Sequence, residues 1–155
     1  AAATDYYYSN GTGTYATEGY GLNNVLQGSR VTCTAGGTIS TVGIYINANW
    51  GIGGLKLAIS HPDATSIHET GTVATPGQAQ WVDFTLVTPL ACTTGQVIKV
   101  AFETSGICII ARSTTGSPHE FYQTSFNYAD FPPADLTGVT EGPAGDWALR
   151  IFVTH

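Results

Sequence analysis

Apolar residues in this chain recur at every second position in short runs, and nowhere hold a helical spacing. Val31, Cys33 and Ala35 form one such run, and Val42, Ile44 and Ile46 another. Leu55, Leu57 and Ile59 follow, then Val82, Phe84 and Leu86, then Ile98, Val100 and Phe102. Trp147, Leu149, Ile151 and Val153 close the chain in the same manner. Successive side chains of a strand point to opposite faces, so each run presents one apolar face to a core. Gly, Pro, Asn and Asp punctuate the runs, as at His61-Pro62-Asp63, Thr75-Pro76-Gly77 and Ser105-Gly106. Where a helical stripe would be sought, Gly, Thr and β-branched residues interrupt it.

Weaker strands are expected at Tyr6–Tyr8, Ile67–Val73, Ile107–Arg112 and, rich in aromatics, His119–Phe126. Pro89 is expected to end the strand that begins at Gln80. The segment 127–145, with Pro132, Pro133, Gly138, Gly142 and Pro143, is long and irregular. Loops of that length are uncommon, so it is expected to be functional or packed against a neighbour. Eight or nine short antiparallel strands predict an all-β sandwich or barrel. A first strand near one end and a strong last strand near the other fit an antiparallel jelly-roll β-sandwich, with the two ends close together. The division expected is an N-terminal strand or arm over 1–21, docked on its own sheet or on a neighbour's, and a jelly-roll domain over 22–155.

Composition narrows the function classes. Only 10% of the 155 residues are charged, against about 25% in ordinary soluble domains. No apolar run approaches the roughly 18 residues of a spanning helix, so membrane insertion is not expected. A net charge of −6 argues against nucleic acid as a partner, since that role requires phosphate neutralisation. A hydrophobic content of 43% argues against disorder. What remains is a surface of uncharged Thr, Gly and Tyr. The chain lacks Met and begins Ala1-Ala2-Ala3, which fits either a trimmed initiator or a removed signal peptide.

Three cysteines leave at least one thiol unpaired. Cys33-Thr34-Ala35-Gly36-Gly37 and Cys92-Thr93-Thr94-Gly95-Gln96 are matching contexts, each a strand end turning on Gly. If the two turns lie side by side, Cys33 and Cys92 form a bridge; otherwise all three thiols are small buried hydrophobes. Cys108, within Ile107-Cys108-Ile109-Ile110, reads as core.

Candidate sites are few. No Gly-x-Ser-x-Gly elbow occurs, and Pro118-His119-Glu120 places its acid and imidazole on opposite faces of a strand, so no hydrolase is expected. Glycosidic cleavage needs two carboxylates about 5–9.5 Å apart, and Asp83 and Glu103 on their strands are expected to face solvent instead. His61, Asp63, His68 and Glu69 carry metal-ligating groups but no recognised spacing. Asp130, Asp135, Glu141 and Asp146, in or beside the long loop, are candidates for a structural calcium, the one cofactor considered. Sugar binding needs aromatic faces with polar side chains beside them. Trp50, between Asn47, Asn49 and Gly51, meets that description, with Tyr122, Phe126, Tyr128 and Phe131 as a second aromatic group. Trp81 and Trp147 lie in strands and read as packing residues. Asn10-Gly11-Thr12 matches the N-glycosylation acceptor pattern. Tyr6, Tyr7 and Tyr8 form a strand suited to adding to the open sheet edge of another subunit.

From about residue 20 to the end, the chain resembles the jelly-roll domains of secreted bacterial proteins and phage structural proteins. The resemblance rests on Leu26-Gln27-Gly28-Ser29-Arg30-Val31-Thr32, on Gly36-Gly37-Thr38-Ile39 with Val42-Gly43-Ile44-Tyr45, and on Leu55-Lys56-Leu57-Ala58-Ile59 leading to Glu69-Thr70-Gly71. Trp81-Val82-Asp83-Phe84-Thr85-Leu86 with Pro89-Leu90 and Gly95, and the closing Asp146-Trp147-Ala148-Leu149-Arg150-Ile151, complete it. It implies an extracellular or virion setting and a structural, adhesive or glycan-contacting role, and it transfers no active site. The expected function is a non-enzymatic structural subunit that self-associates into a homo-oligomer or homopolymer. The alternative is a carbohydrate-binding or adhesion module with Trp50 as its stacking residue and a glycan as its partner.

Overall fold

The structure, a computed structural model, describes residues 4–49, 54–63, 65–73, 80–114, 120–142 and 145–155. Among them the chain is all-β, with two antiparallel sheets packed face to face. No helix among the described residues is long and apolar enough to cross a membrane. Thirteen strand segments are present there, more than the eight or nine expected, because several are short and one long strand is divided.

The first sheet contains β1 (Thr4–Tyr8), β2 (Thr17–Gly21), β4 (Gly37–Asn49), β7 (Gln80–Cys92), β9 (Cys108–Ser113), β12 (Asp146–Trp147) and β13 (Leu149–Thr154). β7 lies along one side of β4. The other side of β4 is shared, by β13 along Thr38–Ile44 and by β9 beyond Ile46. β1 borders β13 and β2 borders β9. The second sheet runs in the order β11 (Thr140–Glu141), β10 (Glu120–Thr124), β3 (Val25–Cys33), β8 (Gln96–Thr104), β5 (Leu55–Ser60), β6 (His68–Val73). The arm expected over 1–21 thus supplies β1 and β2, both paired with strands of their own chain.

The alternating runs do what their period requires. Val31, Leu57, Ile98 and Val100 from the second sheet meet Val42, Ile44, Phe84, Leu149 and Ile151 from the first, all buried. Phe102 and Trp147 meet edge-on across the layer, 5.4 Å between centroids. Cys33 and Cys92 are joined by a disulfide, with Cα atoms 6.6 Å apart. Their turns lie side by side, Gly95 N donating to Cys33 O at 2.8 Å and Gly36 N to Thr94 Oγ1 at 2.9 Å. Cys108 is free and buried.

The outer face of the second sheet is also covered. A row of small residues crosses it in register, Gly28 on β3, Ala101 on β8 and Ala58 on β5, with Phe121 on β10 beside Gly28. A Cβ at Gly28 would come within 2.4 Å of the Phe121 ring, so only glycine lets that ring lie down on the sheet. The irregular connection after β10 crosses this trough as a strap. Its Phe131 and Leu136 join Leu26, Ala58, Ala101 and Phe121 in a second apolar cluster. Lys56 anchors it, Nζ donating to Tyr128 O at 2.9 Å and Phe131 O at 3.3 Å, 4.3 Å from the Tyr128 ring centre.

The strap corrects one expectation. Glu103 does point away from the central core, but the strap excludes water from that face and the residue is 0% exposed. Pro89 does not end β7, which continues to Cys92. Residues 86–89 bulge opposite the single Ser40, on a strand whose described pairing is with β4 alone, where a missing N–H is tolerated. His61 Nε2 donates to Ala91 O at 2.6 Å and His68 Nδ1 to Thr88 O at 2.8 Å, tying the bulge to the second sheet.

Candidate binding face on the first sheet

The outer face of the first sheet carries most of the exposed aromatic surface, and its register explains how. Tyr8 on β1, Arg150 on β13, Gly43 on β4 and Asp83 on β7 lie in one row across four strands. Arg150 reaches over Gly43 to Asp83 through two parallel hydrogen bonds, Nε to Oδ1 at 2.9 Å and Nη2 to Oδ2 at 2.5 Å. A Cβ at position 43 would lie 2.0 Å from Asp83 Oδ1, so glycine is what allows this pair to lie flat on the sheet. The guanidinium sits 4.0 Å from the Tyr6 ring centre and 4.4 Å from that of Trp81. Tyr6, 40% exposed, lies against Phe152 with centroids 4.6 Å apart.

Trp81 is the hub. Tyr8, Tyr45 and Tyr15 surround it at centroid distances of 5.5, 5.6 and 6.2 Å. Tyr15 arrives from the turn between β1 and β2, which Asn10 builds by accepting from Thr12 N and Gly13 N and donating to Thr14 O. Ser9 Oγ donates to Trp147 O at 2.5 Å and accepts from Tyr15 OH at 2.6 Å. Burial pushes the Tyr15 phenol up to about 12, so it stays a neutral donor. Beside this hub lies a depression of about 290 Å³, lined by Gly13, Thr14, Tyr15, Tyr45, Asn47 and Ala111. Asn47 Nδ2 donates to Glu18 Oε2 at 2.9 Å at its edge.

The face thus offers ring surfaces and a hollow lined by the Asn47 amide, with two paired carboxylates, Glu18 and Asp83, on the same face. Apolar C–H faces of a ligand can rest on the rings while its hydroxyls exchange hydrogen bonds with Asn47, Glu18, Asp83 and Arg150. The charges on Asp83 and Arg150 are already matched, which favours neutral ligands.

Of the candidates read from the sequence, Asn47 belongs to this face. Tyr6 and Tyr8 belong to it as well, whereas Tyr7 turns toward the core, its OH 3.3 Å from His155 Nε2. Asn49 ends β4 opposite Cys108. Trp50 and His119 lie outside the described residues. Asn10 uses its amide within its own turn. Phe126 and Phe131 pack edge-on beneath the strap, and Tyr122 points between the sheets. Asp135 accepts from the backbone and hydroxyl of Thr137, Asp130 lies in the short 3-10 turn Tyr128–Asp130, and Asp146 is buried on β12. Glu141 pairs with Arg30. Among the described residues no three His, Cys, Asp or Glu side chains gather to hold a metal ion.

Trp147 packs in the core, whereas Trp81 packs among the rings of the outer face. In Gln80–Val87 it has the parity opposite to Val82, Phe84 and Leu86, so the strand's own alternation turns it outward. That signal was available in the sequence. The arrival of Tyr15, Tyr45 and Arg150 around it depends on register between distant strands and was not. Neither a protein-family model nor a curated protein matches the chain.

Proposed function

We propose that this domain is a non-enzymatic carbohydrate-binding module that takes neutral glycans on the outer face of its first sheet. One observation carries the reading: the aromatic hub of Trp81, Tyr45 and Tyr15 borders a hollow lined by Asn47, which donates to Glu18, with the Asp83–Arg150 pair beside Trp81 on the same face. The stacking residue is then Trp81. Strands β2 to β5, and again β6 to β10, alternate between the two sheets, which supports a jelly-roll winding, and the Cys33–Cys92 disulfide is compatible with an extracellular setting.

The test is a glycan array followed by titration with the strongest ligand. Trp81→Ala should weaken binding at least tenfold, about 1.4 kcal/mol, in a variant shown by circular dichroism to remain folded at the assay temperature. A blank array, or undiminished binding by the folded variant, would overturn the reading.

Self-association is the second reading, favoured by a different observation. β1 pairs, among the described residues, only with β13, so its other edge offers backbone groups to a further strand. Light scattering over a concentration series decides it: growth with concentration supports a homopolymer, and a constant monomer mass removes it.

A further inference from the structure

Tyr20 on β2 is 55% exposed, more than any other aromatic side chain among the described residues. Strand parity fixes its direction. Gly19 and Gly21 turn inward, since a Cβ on the first would meet Trp147 and a Cβ on the second Thr104 and Ile110. Glu18 and Tyr20 therefore turn outward, and the hydrogen bond from Asn47 to Glu18 lies on that side. Glu18 stands opposite Ala111, which lines the hollow, and Tyr20 stands opposite Ile109. Tyr20 is thus placed just beyond the hollow, on the side away from Trp81.

β7 and β9 flank this end of β4, and β2 follows β9. With strands about 4.8 Å apart and a rise of about 3.4 Å per residue, the backbones of Trp81 and Tyr20 are roughly 16 Å apart. In the other direction from Trp81 the ground is occupied. The Arg150 guanidinium sits 4.4 Å from the Trp81 ring centre and 4.0 Å from that of Tyr6, and it is bonded to Asp83. Given the outer face as a glycan site, the reading on which this rests, we propose that it binds a linear neutral glycan lengthwise, from Trp81 over the hollow to Tyr20, which stacks the third sugar ring.

The span is too long for one pyranose ring and suits a row of about three. The aromatic ends take the C–H faces of the outer rings. Between them, the Asn47 amide has two N–H groups and a carbonyl, of which the Glu18 bond uses one N–H, so hydroxyls of the middle ring meet both donor and acceptor. Glu18 places a negative charge beside the hollow, and the whole chain carries −6, so a chain of uronic acids would be repelled.

The experiment is calorimetric titration with cello-, manno-, xylo-, laminari- and malto-oligosaccharides, each as a series of increasing length from the monosaccharide. At least one series should bind, with affinity rising up to the trisaccharide and level beyond it. Tyr20→Ala should remove the gain between disaccharide and trisaccharide, about tenfold, and leave the disaccharide affinity unchanged, whereas Tyr20→Phe should keep the gain. Trp81→Ala should weaken every length. In the ¹³C-labelled wild type, the trisaccharide should move the Tyr20 ring signals together with those of Trp81, and these signals decide if Tyr20→Ala does not fold. The lengthwise mode is overturned, with the glycan reading intact, if glycans bind through Trp81 but affinity levels before the trisaccharide, if folded Tyr20→Ala keeps the gain, if the trisaccharide leaves the Tyr20 ring unmoved, or if only charged or branched glycans bind. A protein that binds no glycan at all overturns both.

Discussion

Glu103 lies between Phe102 and Thr104 on β8, its side chain on the strap-covered face and both carboxyl oxygens without a hydrogen-bond partner. Burial pushes its carboxyl up to about 8 from 4.5; Lys56 on β5 opposes the shift, and Asp130 in the strap adds to it. In the unfolded chain the group ionises near 4.5, so between about 4.5 and 8 the folded state holds a proton that the unfolded state has lost. Stability contributed by this residue is therefore greatest below that window and falls as pH rises through it, by up to about 1.4 kcal/mol per pH unit. Above about 8 the loss levels off. Denaturant midpoints of the wild type should show this decline, and Glu103→Gln should flatten it and be the more stable protein at pH 8. A parallel decline in both proteins would place the titration elsewhere.

The strap is an element that strand periodicity does not reveal. Its residues Phe126, Phe131 and Leu136 follow no repeat, and the surface they cover shows in the sequence only as small residues at Gly28, Ala58 and Ala101. Leu136 is wholly buried there, so Leu136→Ala should cost about 2–5 kcal/mol in chemical denaturation. A loss below about 1 kcal/mol would show that the strap adds little to the fold. The alternating strands were legible, from Val25–Cys33 to Leu149–Thr154, because each buries one face on a common core. β2 was not, since Gly19 and Gly21 have no side chains to alternate and occupy their places for closeness to Trp147 and Thr104. Nor was the passage of β7 through Pro89, which depends on its place at the side of β4 and on two histidines from the other sheet. On the outer face of the first sheet, Asn47 and the outward parity of Trp81 were legible, whereas the arrival of Tyr15 and Arg150 there depends on register between distant strands.

At the scale of the molecule, one covalent link joins the two sheets. Cys33 ends β3 in the second sheet and Cys92 ends β7 in the first, 59 residues apart in sequence. Loop-closure entropy for a loop of that length gives about 4 kcal/mol of stabilisation at 25 °C. Reduction under native conditions, or Cys33→Ser with Cys92→Ser, should lower the thermal midpoint by many degrees while Cys108 stays buried and unreactive to thiol reagents until unfolding. A midpoint unmoved by reductant would mean that the link contributes nothing. The first and last described strands have a mechanical consequence of their own. β1 and β13 are antiparallel, with Thr4 beside Thr154, so the two ends of the domain emerge at the same corner. Tension applied between them peels β1 away one residue pair at a time, like a zipper, instead of shearing all its bonds at once. The rings leave in the order Tyr6, Tyr7, Tyr8, and the first and last of them belong to the aromatic outer face of the first sheet. A domain tethered by both ends would therefore shed part of that aromatic face under load before its core, clamped by the disulfide, begins to yield.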